Sequence, residues 1–308
     1  MKWTESEIPV QSGRIVLVTG ANSGLGFHTS MALAGRGARV IMACRNLEKG
    51  EAARQKVLAI KPESEPELWE LDLSDLSSVR RFAEKLLATH GGPDLLINNA
   101  GLMAIPYLKT TDGFEMQFGV NHLGHFALTA LLWPGMRHQN RARIVNVSSA
   151  AHHFGKIRFD DIHWDRGYSK WGAYGMSKLA NLLFTSELAK RLKMSDSQVI
   201  VAAAHPGYAE TSLQAKGMLM AGSKRKAGFY DLANRFLAQT GEMGALPSLY
   251  AATAPGVDSG SFYGPSGFMR MKGWPAPEKP NPKRVTPEVA SRLWEVSETL
   301  TRIKFQVN

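Results

Sequence analysis

The chain is predicted to adopt an α/β fold built on one doubly wound parallel sheet of about seven strands. Three observations carry this expectation. Short apolar, β-rich runs alternate with segments of helical periodicity, the pattern of strands joined by crossover helices. A glycine-rich turn, Gly20 to Gly26, joins the first strand to the first helix. Polar residues suited to ligand binding stand just past strand ends, where open parallel sheets bind their ligands.

Arg14-Ile-Val-Leu-Val18 reads as the first buried strand, and Phe27 to Ala34 has helical apolar spacing. Arg39-Val-Ile-Met-Ala43 is the second strand, and Asn46 is placed to cap a helix from Leu47 to Ile60. Leu68 to Leu71 is the third strand, followed by a helix from about Leu76 to Thr89. Asp94 to Ile97 is the fourth strand, and a long helix begins after Asp112 and ends near Pro134, which cannot donate to a helix interior. Arg143 to Val147 is the fifth strand, Tyr174 sits on a helix ending near Lys193, and Val199 to Ala202 is the sixth strand. Ser261 to Pro265 supplies the last strand and its turn. Pro275, Pro277, Pro280 and Pro282 stiffen an extended segment. Thr286-Pro-Glu288 then opens a helix with a capping hydroxyl, a proline at the first position and an early acid. No internal repeat or linker divides residues 1–308, so a single domain is expected.

The glycine turn leaves free backbone N–H groups at a helix N-terminus, where the helix dipole favours a phosphate. Gly20, Gly24 and Gly26 remove side chains that would hold the backbone away from a pyrophosphate. Tyr174 and Lys178 are four apart and share a helix face. A phenol titrates near ~10 in water, and a neighbouring ammonium is expected to lower that value, so the pair suits proton exchange with a carbonyl oxygen. Where a dinucleotide enzyme using NAD usually presents an acid after the second strand, this chain has Cys44 followed by Arg45. A guanidinium matches the 2′-phosphate of NADP, so NADP(H) is the preferred cofactor and NAD(H) the alternative.

Thr19-Gly20…Gly24-x-Gly26, Asn98-Asn-Ala-Gly101, Asn121, Ser149, Tyr174-x-x-x-Lys178 and Pro206-Gly207…Thr211 resemble, in content and order, the short-chain dehydrogenase/reductase family. Ala43-Cys-Arg-Asn46 and Val120-Asn-His-Leu-Gly-His-Phe126 are similar to its retinol dehydrogenase and protochlorophyllide reductase branch. The resemblance implies a single-domain Rossmann fold. It implies catalytic roles for Asn121, Ser149, Tyr174 and Lys178, with Ser148 turned to the other face by strand alternation. It implies cofactor contacts at Gly20, Asn22, Ser23, Gly24, Leu25, Gly26, Arg45, Asp72, Leu73, Asn99, Ala100, Gly101, Tyr174, Lys178, Pro206, Gly207 and Thr211. A substrate lid is expected over about residues 207–240, and a C-terminal extension over about 265–308. Cys44 belongs near the adenosine, which disfavours the protochlorophyllide reductase reaction.

These features predict an NADP(H)-dependent oxidoreductase acting on a hydrophobic carbonyl/alcohol pair, retinoid-, steroid- or lipid-aldehyde-like. Aromatic residues between Ala150 and Ala173, with Met218, Met220, Phe229 and Tyr230, favour an apolar substrate over a sugar. A non-catalytic dinucleotide-binding regulatory or scaffold protein is the alternative, and it has no need of Asn121, Ser149, Tyr174 and Lys178 together. The net charge of +10 is spread among acids, and its densest cluster, Ser223-Lys-Arg-Lys226, is short, so no nucleic-acid partner is expected. No apolar run approaches the ~20 residues of a membrane span, and the polar start lacks a signal peptide. With Cys44 as the sole cysteine, a cytoplasmic location is expected. His122, His125, His152, His153 and His205 lack a helical H-E-x-x-H pattern or a cysteine partner, and no metal is assigned. The helix Ala173 to Leu192 carries more apolar surface than one sheet face needs, as do Phe114, Phe118 and Phe126. A homodimer would cover it, and so would the segment Ala150 to Ala173 or the helix around Trp294.

Overall fold

The structure is a computed structural model that describes residues 2–139, 141–195, 197–208 and 239–307. The expected lid, with Met218, Met220, Phe229 and Tyr230, falls almost wholly outside the described residues, as do Thr211 and the basic cluster at 223–226.

The fold is a single α/β Rossmann-like sheet. Its strands are β1 (Ile15–Thr19), β2 (Arg39–Cys44), β3 (Glu67–Glu70), β4 (Leu95–Asn98), β5 (Arg143–Val147), β6 (Ile200–Ala204), β7 (Phe262–Pro265) and β8 (Pro275–Glu278). Their order is β3-β2-β1-β4-β5-β6-β7-β8, parallel from β1 to β7. The order reverses between β1 and β4, and the crevice beyond those two strand ends is where such a sheet takes a ligand. The strands run nearly apolar from end to end because both sheet faces are covered: Val16, Leu17 and Val18 are fully buried.

The described helices are α1 (Gly24–Ala34), α2 (Leu47–Leu58), α3 (Leu76–His90), α4 (Met116–Phe118), α5 (Gly124–Met136), α6 (Lys170–Met194), α7 (Gly241–Thr253) and α8 (Pro287–Thr301). α1 and α7 pack beside each other, and α7 carries Leu246 and Leu249 into the core with Val16, Val18 and Tyr263. α3, α5 and α6 build the second core on the opposite face, around Leu17, Leu96, Phe126 and Leu183. Asn46 accepts from Lys49 N–H at 2.8 Å, and Asp75 from Ser77 N–H at 2.8 Å, which start α2 and α3 where the sequence expects them.

Two regions depart from expectation. The long helix expected after Asp112 runs unbroken from Met116 to Met136, ending two residues past Pro134, but it contains a π-helical turn over Gly119–Leu123 between α4 and α5. The wide turn carries Asn121, whose side chain is bonded to Leu102 and Ser177 rather than turned to solvent. The proline-rich segment becomes β8, an antiparallel edge strand with Glu278 opposite Phe262 and Pro277 opposite Tyr263. Prolines are tolerated there because an edge strand is bonded on one side only. The sheet therefore has eight strands rather than about seven.

α8 covers the surplus apolar face of α5 and α6. Trp294 lies 5.3 Å from Phe126 and 5.9 Å from Phe184, ring centre to ring centre, and stacks on Phe305 of the tail at 4.9 Å. The Arg191 guanidinium sits 4.3 Å above the Trp294 ring, and Ser297 meets His122 at 2.9 Å. The surface from which a homodimer is expected is thus covered inside one subunit. Trp294→Ala removes a large buried side chain from this seal and should cost ~3–5 kcal/mol of unfolding free energy. Denaturant unfolding should show this as a lower midpoint at unchanged slope.

Candidate functional site at the strand ends

β1 ends in a turn made by backbone alone. Gly20 and Gly24 adopt φ of +68° and +53°, conformations that side chains resist. A Cβ on Gly26 would collide with the Gly20 carbonyl and the Asn99 amide, so α1 can approach β1 and β4 only with glycine there. Ser23 stands at the cap of α1 without a side-chain bond to it, so the first-turn N–H groups stay available to an anion. The turn therefore fits a pyrophosphate. Thr19 secures its base: its hydroxyl accepts from Asn99 and Ala100 N–H, both at 3.0 Å, and the Asn99 amide donates to the Thr19 carbonyl at 2.7 Å.

His125, fully buried, extends this network. Its Nδ1 lies 3.1 Å from the Asn121 carbonyl, which can only accept, so Nδ1 carries the proton. Nε2 is then the acceptor of the Thr19 hydroxyl at 2.9 Å. Burial lowers the His125 pKa to about 4, which keeps the ring neutral for that arrangement. Sequence reading missed His125, because its role depends on a neighbour in β1 that is remote along the chain. Asn121 Oδ1 accepts from Leu102 N–H at 2.7 Å, and its Nδ2 donates to the Ser177 hydroxyl at 2.8 Å. A Cβ added to Gly101 would lie 3.2 Å from Asn121 Oδ1 and 3.4 Å from Lys178 Nζ, so these three residues converge.

Lys178 is buried on α6 and donates to the Val147 carbonyl at 3.1 Å, and its Nζ lies 5.9 Å from the centre of the Tyr174 ring. Burial lowers its pKa to about 8. Burial raises the Tyr174 pKa, while a hydrogen bond with Ser149 works the other way. The expected lowering of Tyr174 by Lys178 is not met: desolvation dominates, and the lysine is tied to a backbone carbonyl. Ser149 caps a 3₁₀ turn (Ala150–His153), its Oγ accepting from Ala151 N–H at 3.2 Å. Ser148 instead donates to the Lys178 carbonyl at 2.8 Å.

At the other end of the crevice, Arg45 is exposed, 4.0 Å from an Asp72 oxygen, and Asp72 Oδ1 is held by Ser74 at 2.9 Å from N–H and 2.6 Å from the hydroxyl. The Leu73 side chain is buried, and Gly124 lets it pack against the start of α5. Cys44 is buried and free. Beyond β6, Gly207 has φ of +66° and donates to His205 Nδ1 at 3.1 Å, and Gln239 donates to the Pro206 carbonyl. Of the segment Ala150 to Ala173, Trp164 packs inward, while Phe154 and Trp171 are exposed near Tyr174, Trp171 at 6.1 Å between ring centres.

Residues 14–220 match the model of the short chain dehydrogenase family. Retinol dehydrogenase 12 of Bos taurus is 45% identical over 96% of this chain and 88% of its own length. An uncharacterised protein from Mycobacterium Paratuberculosis has a crystal structure with TM-score 0.82 and 44% identity, covering 99% of this chain and all of that one. A structure of a putative NAD(P) dependent gluconate 5-dehydrogenase from Beutenbergia cavernae with bound NADP matches at TM-score 0.60 and 26% identity, over 80% of this chain and 92% of that one. With its turn of glycines, its buried Tyr174 and Lys178 and these relatives, the chain belongs to the short-chain dehydrogenase/reductase family of hydride-transfer oxidoreductases, in its retinol dehydrogenase branch.

Proposed function

We propose that this protein is an NADP(H)-dependent oxidoreductase interconverting a hydrophobic aldehyde or ketone and its alcohol, with Tyr174 as general acid/base. The observation that carries the reading is the burial of Tyr174 beside Ser149, one helical turn from Lys178, which itself converges with Asn121 and Gly101. The bound nicotinamide dinucleotide would supply or accept the hydride.

Each residue has a role its environment suits. The first-turn N–H groups of α1, with Gly20, Asn22, Ser23, Gly24, Leu25 and Gly26, would hold the pyrophosphate. Asp72, Leu73, Asn99, Ala100 and Gly101 would line the adenosine and ribose side, and Pro206 and Gly207 the nicotinamide end, a role the family resemblance also gives Thr211, which is outside the described residues. Arg45, exposed and only weakly engaged by Asp72 at 4.0 Å, is free to pair with a 2′-phosphate. Ser149 would donate to the substrate oxygen while Tyr174 gives or takes its proton. Lys178, with a pKa of about 8, holds its proton at neutral pH and can pass charge towards the phenol, and Asn121 fixes the backbone beside it. The exposed rings of Phe154 and Trp171 near Tyr174 favour an apolar substrate, as does the name of the bovine relative. NADPH oxidation assayed against retinoid, steroid and lipid aldehydes, ketones and quinones, with NADH in parallel, tests the whole reading. No turnover of any apolar carbonyl would refute it.

Tyr174→Phe removes the proton donor and leaves its packing, so turnover should fall ~10²–10⁴-fold with NADPH affinity nearly unchanged. Near-native turnover would overturn the assignment.

Arg45→Ala should weaken NADPH by about 1.5–3 kcal/mol, the worth of a charged hydrogen bond, and leave NADH nearly unaffected. Fluorescence titration with both cofactors measures this, and equal losses would count against NADP selection.

Lys178 has a folded pKa of about 8 against an ordinary 10.5, so the fold prefers the neutral amine. Its contribution to stability is complete above pH 10.5 and is lost as pH falls through 8. Lys178→Met should therefore gain stability relative to the native chain at pH 7, and the gain should shrink as pH approaches 10.5. Paired unfolding curves at several pH values check the sign.

A further inference from the structure

We propose that His152, His153 and Glu278 form a binding site for one divalent metal ion of the zinc class, beside the turn that carries Ser149. One donor atom from each of the three lies within 4.8 Å of the other two. The sequence offers no metal motif because the third ligand comes from β8, an edge strand that only the fold brings against the 3₁₀ turn after β5.

The hydrogen bonds around the cluster aim its free atoms inward. His152 is fully buried, and its Nδ1 lies 2.8 Å from the Ser149 carbonyl, which can only accept. The proton of the neutral ring is therefore on Nδ1, and the lone pair on Nε2, an atom that is buried and has no hydrogen-bond partner. Ligating histidines commonly make this outer bond to a backbone carbonyl, which sets tautomer and ring orientation. Glu278 is held the same way. Gly207 N–H donates to His205 Nδ1, so His205 Nε2 carries the proton and donates to Glu278 Oε2 at 2.7 Å. That leaves Oε1, 3.8 Å from His153 Nε2. The His152 and His153 rings lie 3.9 Å apart, centre to centre.

The donor set selects the ion. Two imidazoles and one carboxylate suit zinc and its neighbours rather than magnesium or calcium, which take oxygen ligands. Ligands ~2.0–2.2 Å from a tetrahedral ion stand roughly 3.3 Å apart, so donors that lie within 4.8 Å of one another, with His153 Nε2 and Glu278 Oε1 at 3.8 Å, need close only slightly around an ion. His153 also opens the site to solvent, giving an entry path, and a fourth position stays open for water. An ion here would tie the turn bearing Ser149 to β8 and, through His205, to the turn at Pro206 and Gly207. It would thereby brace two walls of the substrate crevice without touching the glycine turn.

The full chain, purified without an affinity tag and stripped with a chelator, should be titrated with zinc(II) against a chromophoric chelator and with cobalt(II) by absorption. The expected result is one equivalent bound, an intense four-coordinate cobalt spectrum, and a thermal midpoint raised by zinc. His153→Ala, at a partly exposed position, should weaken binding by at least about tenfold and abolish the thermal shift, and Glu278→Gln should do the same. His138→Ala, which removes an exposed imidazole elsewhere, should leave the titration unchanged. Failure of the native chain to bind stoichiometrically, or native-like binding by His153→Ala, would overturn the site.

Discussion

The ends of β1 and β4 diverge at the switch point of the sheet, and Thr19 holds them together. Its hydroxyl takes the N–H groups of Asn99 and Ala100 and donates to His125, and its carbonyl takes the Asn99 amide. Backbone polar groups at strand ends that do not pair would be costly to bury; the Thr19 side chain satisfies two of them, and the Asn99 side chain a third. The arrangement runs on through His125 to the Asn121 carbonyl, and through the Asn121 side chain to Leu102 and Ser177, one residue before Lys178. A fully satisfied network of this kind is rigid. It links the strand end that carries the glycine turn to the helix that carries Tyr174.

Rigidity matters because the polar groups at the centre are kept out of water. Lys178 and Tyr174 are pushed by desolvation in opposite directions, towards the neutral amine and the neutral phenol. Their two pKa values, close together in water, are driven apart, so the phenol holds its proton more tightly than the ammonium does. The Val147 carbonyl offsets only part of the cost of burying the lysine, whose pKa still falls to about 8. The same burial neutralises His122, whose pKa falls to about 3, and it serves as a core residue against Ser297 and Phe118.

The C-terminal extension does two separate jobs. α8 and Phe305 pack over the apolar face of α5 and α6. β8 extends the sheet and delivers Glu278 beneath the turn at Pro206 and Gly207, where His205 is its partner. An edge strand rich in proline pairs on one side and does not invite further strands, so the extension also ends the sheet.

Most of the strand and helix order was legible in the sequence, since buried parallel strands and capped helices leave local signatures: β5 lies where the apolar run predicts, and Asn46 and Thr286 cap where their residue types predict. The glycine turn and the Tyr174–Lys178 spacing were legible for the same reason, being set by neighbours within a few residues. What local pattern could not supply is the medium around those groups. Only the packed structure decides that desolvation outweighs the lysine in setting Tyr174, that Asn121 sits in a π-helical turn, and that Trp294 packs on α6. It alone brings Glu278 to His152 and His153. Periodicity and capping are short-range along the chain, whereas dielectric environment and the meeting of remote side chains depend on the summed packing of every element, which no single segment encodes.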